Sequence, residues 1–199
     1  MERVEQHPIY SNKVIEFVTV AAEFCSFMEK CEGCGTKTFM DKMTKLLPLL
    51  YLKTSLLPDL EEESEEEIQQ FVTEEEYEYT QEQVRNVIGQ YDEYLEVFTP
   101  DMQYSDNPIL AHISEDLTDI YQDLKDMVAN FQSANQQIMN DSILNCKQNF
   151  ESFWGQKALN ALRALHNVLY SGAELEDEDA TYGMASTDAD LADDEIDGF

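Results

Sequence analysis

The chain has 199 residues, 42 of them Asp or Glu and only 12 Lys or Arg, for a formal net charge of −30. So few and scattered cations exclude direct nucleic-acid binding, which needs clustered Lys and Arg against the phosphates. A hydrophobic content of 43% is enough for a packed core and excludes global disorder.

Met1 to Pro8 carries charges where a signal peptide needs an apolar stretch. Residues 1–58 are balanced, with seven acids and seven bases. Ser11 is placed to cap a first helix, whose apolar positions Val14, Phe17, Val18, Ala21, Cys25 and Met28 follow the i, i+3, i+4 rule. Gly33 and Gly35 end it. A second helix is expected from Thr36 or Thr38 through Phe39, Met43, Leu46, Leu47 and Leu50 to Leu57, kinked or split by Pro48. The apolar run Leu46 to Leu52 inside it falls far short of the roughly 20 residues that span a bilayer. The expectation is a soluble, cytoplasmic protein with no membrane partner.

Beyond Pro58 the charge changes abruptly. Residues 59–101 hold 16 acids against one base, Arg85. The first of them, Asp59 to Glu67, read as a loop or a frayed helix start. Thr73 with Glu76 is a capping-box signature for a third helix. Its inward face would carry Tyr77, Val84, Val87, Ile88 and Tyr91, continuing past Gly89 through Tyr94, Leu95, Val97 and Phe98 to Pro100. Asn107-Pro108 opens a fourth helix with the stripe Leu110, Ile113, Leu117, Ile120, Tyr121, Leu124, Val128 and Phe131. Glu115, Asp119 and Asp126 fall on its opposite face, with His112, Asp116 and Asp123 on one flank. A last helical region begins near Asn135 and uses Met139, Ile143, Cys146, Phe150, Phe153 and Trp154. It continues through Ala158, Leu162, Leu165 and Leu169, with a bend at Gly155, to Gly172. Nothing alternates with period two over strand length. The fold class is therefore all-α, a bundle of five to six helices over residues 1–172. Residues 173–199 have few large apolar side chains, and residues 174–199 hold 11 acids and no base, so a flexible acidic tail is expected.

Three strings point to a family: Leu46 to Lys53 (LLPLLYLK), Tyr94 to Asp126, and Trp154-Gly155-Gln156 through Ala161 to His166. Together they resemble an uncharacterised family of acidic, all-helical cytoplasmic proteins from Bacteroidetes, classed as a domain of unknown function. The resemblance covers most of residues 10–171. It implies no activity and no binding residues.

Cys31-Glu32-Gly33-Cys34 is a CxxC, but it follows a helix and has no second pair, so with Cys25 and Cys146 it reads as free thiols and not as zinc ligands. No metal and no cofactor are expected. Asp92-Glu93-Tyr94-Leu95-Glu96 with Asp116-Leu117-Thr118-Asp119 resembles the carboxylate arrangement of all-α nucleoside-triphosphate pyrophosphohydrolases, in which side chains one turn apart hold Mg²⁺ on phosphates. In a chain this acidic, a solvated helix face is the better explanation. Asp193 to Gly198 mimics half an EF-hand loop without its twelfth-position Glu. The run Asp193-Asp194-Glu195-Ile196-Asp197-Gly198-Phe199 is also similar to the C-terminal tip of bacterial single-stranded-DNA-binding proteins, whose final Phe enters a pocket with a basic rim. His112 and His166 have no nucleophile beside them.

Charge concentrated in blocks repels itself, so it must be solvated, ion-bound or set against a basic partner. The expected function is non-enzymatic: binding a basic protein, such as a nucleic-acid-processing one, through Glu61, Glu62, Glu63, Glu65, Glu66 and Glu67 and through Asp193, Asp194, Glu195, Ile196 and Phe199. The alternative is a Mg²⁺-dependent nucleotide hydrolase using Glu93, Glu96, Asp116 and Asp119.

Overall fold

The computed structural model describes residues 7–64, 68–96 and 109–175. A 3-10 turn at Pro8–Tyr10 leads into α1 (Asn12–Glu29), followed by α2 (Thr36–Ser55), α3 (Glu74–Ile88) with a second 3-10 turn at Gly89–Tyr91, α4 (Ile113–Phe131), α5 (Gln136–Asn149) and α6 (Gly155–Tyr170). Between α3 and α4 two short strands, β1 (Glu93–Glu96) and β2 (Ile109–His112), pair antiparallel, with Glu93 opposite His112 and Glu96 opposite Ile109. No described helix is long and apolar enough to cross a membrane. The described residues thus form an all-α bundle with one strand pair added.

The helical stripes bury as their spacing dictates. Val14, Phe17, Ala21, Phe24, Cys25 and Met28 face the core from α1, and Phe39, Met40, Met43, Leu47 and Leu50 from α2. Helix α4 sits centrally and packs against α1, α3, α5 and α6, while α2 lies across α1 and α6. Its stripe Ile113, Leu117, Ile120, Tyr121, Leu124 and Val128 is buried as expected, but Leu110, counted with it, is 53% exposed. Trp154 is fully buried and donates its indole N–H to the Cys146 carbonyl.

Several boundaries differ from the sequence expectation. Helix α2 runs as one helix and is not split at Pro48, whose ring stands on the exposed side, clear of the packed core. Ser11 holds the N-cap position of α1, yet its hydroxyl makes no capping bond. Helix α3 stops at Ile88 and does not run on, since Gly89 adopts φ +60° and turns the chain into β1. Helix α4 starts at Ile113, five residues after the expected Pro108, and Asp92 takes over its capping. The Asp92 carboxylate accepts from the Ser114 N–H at 2.7 Å and the Ser114 hydroxyl at 2.8 Å, and its carbonyl accepts from the Ile113 N–H at 2.9 Å. Val97, Phe98, Pro100, Asn107 and Pro108 lie outside the described residues. The bend expected at Gly155 is a π-helical turn, Phe150–Trp154, that joins α5 to α6 without a break. A Cβ at position 155 would sit 2.4 Å from the Phe150 carbonyl oxygen, so only glycine fits there.

Candidate functional site

Between α2 and α3 the described residues of the acidic block, 59–64 and 68–73, form neither helix nor strand. Backbone outside helix and strand must find partners for its polar groups elsewhere. Side chains of α4 and α5 supply them. Asp141 accepts from the Glu63 N–H through one oxygen and the Ser64 N–H through the other, both at 2.9 Å. Asp126 accepts from the Phe71 N–H at 2.6 Å and the Val72 N–H at 2.9 Å. Asn140 donates to the Glu61 carbonyl, Gln137 to the Glu63 carbonyl, Asn130 to the Gln69 carbonyl and Lys147 to the Pro58 carbonyl.

With the backbone turned inward, the Glu61 and Glu62 side chains are exposed, while Glu63 turns back to hydrogen-bond His7. Further acidic residues lie on α3. The capping box forms, with Thr73 accepting from the Glu76 N–H and Glu76 accepting from the Thr73 N–H. Glu74, Glu75, Glu78 and Glu82 are exposed beside it. Arg85, the block's one base, faces Glu82 and Asp92, both at 3.7 Å. Among the described residues no basic side chain pairs with Glu61, Glu62, Glu74, Glu75 or Glu78. Glu65, Glu66 and Glu67, and the tail residues Asp193, Asp194, Glu195, Ile196 and Phe199, lie outside the described residues.

The four carboxylates of the hydrolase alternative come together only in part. Glu93 and Glu96 sit on β1 and not on a helix; Glu93 is exposed and Glu96 accepts from Asn160 at 3.2 Å. Asp116 and Asp119 point inward and share Lys157 of α6, at 3.2 and 2.7 Å. The Tyr94 hydroxyl donates to Asp116 and the Tyr77 hydroxyl to Asp119. Burial raises the Asp116 carboxyl above the usual range, although Tyr94 and Lys157 pull it down. Burial would lower the Lys157 ammonium, but the two carboxylates outweigh it and hold it above an ordinary lysine. Among the described residues no group of three or more His, Cys, Asp or Glu side chains is placed to hold a metal ion.

The expectation of a solvated acidic face on α4 is therefore corrected. Asp116, Asp119, Asp123 and Asp126 all take hydrogen bonds from other elements, because each meets a backbone, amide, hydroxyl or ammonium donor there. Asp92, Asp126, Asp141 and Lys157 are the positioning residues that sequence reasoning missed. The groups they position in other elements lie 22 to 78 positions away, so no local spacing marks these roles.

The four cysteines are free thiols. Burial pushes the Cys25 thiol up to about 12 and the Cys31 thiol up to about 11, and it also raises Cys34 and Cys146. A thiol so raised is a poor nucleophile and a poor metal ligand at neutral pH.

A domain of unknown function (DUF5063) matches residues 8–171. The matched region takes in the acidic segment, α3 and the Asp116–Asp119–Lys157 network, and it stops short of the acidic residues 174–199. Among solved structures, the crystal structure of protein BF1032 from Bacteroides fragilis is similar. It is 43% identical, with a TM-score of 0.75, and the match covers 85% of this chain and all of that one. No curated protein matches.

Proposed function

The chain belongs to this family of unknown function, and within it we propose a non-enzymatic protein that binds a basic protein partner through its acidic surface. The observation that carries this is the way the acidic segment is held. Its backbone donors are taken by Asp126 and Asp141, which leaves Glu61 and Glu62 exposed, as the glutamates of α3 also are. Fixed, unpaired charge of one sign steers and orients a partner of the opposite sign. A row of carboxylates at this density imitates nucleic-acid phosphates, so a nucleic-acid-processing protein with a basic groove is the partner type proposed. The tail run Asp193 to Phe199 would add a second contact, in which acidic residues steer and the Phe199 ring packs in an apolar pocket.

The nucleotide-hydrolase alternative has less support. Its Asp116 and Asp119 already share a lysine and two tyrosine hydroxyls, and Glu93 and Glu96 are not set one helical turn apart.

The test is salt-graded capture from native lysate with the full chain, a chain with Glu61 to Glu67 neutralised to Gln, and a chain lacking Phe199. The expected result is a basic protein released by moderate salt and captured less well by both variants. Equal capture by all three forms would overturn the proposal.

A further inference from the structure

Behind the acidic segment, residues 68–70 stand off from α4 and α5 and leave a recess of about 300 Å³. That is the lower end of the roughly 300–1,000 Å³ range of ligand clefts. Asp123 lies in its wall. The inward carboxylates of Asp92, Asp116, Asp119, Asp126 and Asp141 each meet an ammonium, a guanidinium or backbone N–H groups. Asp123 does not. Among the described residues its one donor is the Asn149 amide, which reaches one oxygen at 2.5 Å, and the other oxygen takes no hydrogen bond.

Asp126, whose carboxylate is taken up by the Phe71 and Val72 N–H groups, also lines the recess, and the remaining wall is uncharged and rich in amides, including Gln69, Gln70, Gln122 and Asn145. No Lys, Arg or His lies among its described lining residues. The recess adjoins a more open groove that shares Gln69, Gln70 and Asn145 with it and carries Glu61 and Glu62 at its outer end. A half-buried carboxylate without a cation is costly, and a cation brought by another molecule removes that cost. The flat guanidinium fork, with five donors and no acceptor, matches a carboxylate with a free oxygen among side-chain amides better than a point-like ammonium does.

We propose that Asp123 and the amides around it form a socket for an arginine side chain of the basic partner, with Glu61 and Glu62 taking neighbouring cations along the groove. This rests on the acidic-surface function proposed above and names the part of that surface that selects the partner. Binding at the socket is coupled to pH. Burial pushes the Asp123 carboxyl up to about 6, against the Asn149 hydrogen bond, with Asp126 and Asp119 of its own helix adding repulsion. Cys146 and Asn149 of α5 and Gln69 and Gln70 of the facing segment bring no positive charge. An arginine enters only against the ionised form.

The test uses the full chain and a fluorescein-labelled hexa-arginine peptide, followed by anisotropy, with hexa-lysine as comparator. Asp123→Asn keeps the shape and removes the charge. Asn145→Trp, at an exposed position, obstructs the recess without touching Asp123. Each is expected to weaken hexa-arginine binding by about tenfold or more, the loss of one charge-assisted contact, with a smaller effect on hexa-lysine. Wild-type affinity is expected to fall between about pH 7.5 and about pH 5, and Asp123→Asn to flatten that profile. If both variants bind like the wild type while Glu61→Gln/Glu62→Gln binds more weakly, the socket is wrong and the acidic-surface function stands. If the wild type itself does not bind hexa-arginine, both fall.

Discussion

Replacing Asp141 by Asn tests how the acidic surface is held. The change is nearly isosteric, but one oxygen that accepts from a backbone N–H becomes an NH₂ group facing a donor. The wild-type carboxylate serves the Glu63 N–H, the Ser64 N–H and the Asn140 amide, and Asp141 is only 5% exposed. Losing one charge-assisted bond and leaving its buried donor unsatisfied costs about 2–4 kcal/mol. One effect opposes this, because removing a charge relieves repulsion with the glutamates nearby. The glutamates stand in water, which screens them from the buried Asp141, so that relief is about 1 kcal/mol or less and destabilisation wins. In a domain of this size the midpoint of thermal unfolding should fall by about 5–15 °C. Amide exchange at Glu63 and Ser64 should rise more than exchange in α4, since the segment opens locally before the bundle does. High salt should not restore the midpoint, because the defect is a missing acceptor and not a charge. An unchanged midpoint with unchanged exchange at residues 63 and 64 would show that Asp141 does not hold the segment.

Lys157→Met leaves Asp116 and Asp119 facing each other with only tyrosine donors. A urea titration at neutral pH should show a loss of about 2–4 kcal/mol, smaller near pH 4, where protonation relieves the repulsion. Gly155→Ala forces a Cβ to within 2.4 Å of the Phe150 carbonyl oxygen, a backbone atom that cannot swing away. It should cost about 3 kcal/mol or more in the same titration and remove the π turn. Asp123 has its folded-state carboxyl at about 6, above the unfolded value of about 3.9, so the folded chain binds this proton more tightly. Its contribution to stability therefore grows as pH falls from about 6 to about 4, and Asp123→Asn should remove that slope. At neutral pH the same variant should be more stable by at most about 3 kcal/mol, read from denaturation midpoints across pH.

What was legible in the sequence was what is local. The Thr73–Glu76 capping box and the stripes of α1 and α4 each lie within a few turns of chain, and they formed where the spacing put them, except for Leu110, which falls on β2. The strand pair was hidden because each strand has four residues, too few for a period of two to emerge beside helical spacing. The start of α4 was hidden because Asp92 caps it from 22 residues away across the strand pair. At the candidate site, composition located the acidic block and Pro58 its start, but composition does not say which aspartates turn inward. A carboxylate is costly to bury unless donors meet it, and whether they do depends on which backbone N–H groups the fold delivers. Asp126 fell on the face of α4 opposite its apolar stripe, and nothing local singled out Asp141, until the segment they hold was in place.

The central claim is that the exposed carboxylates themselves touch a basic partner, and zero-length carbodiimide cross-linking tests that contact directly. The protein with its captured partner would be cross-linked at low salt and the joined peptides read by mass spectrometry. The predicted result is amide links from partner lysines to Glu61, Glu62 and the exposed glutamates of α3, absent when salt is raised before cross-linking. Links confined to α1 and α2, or links that survive high salt unchanged, would contradict it.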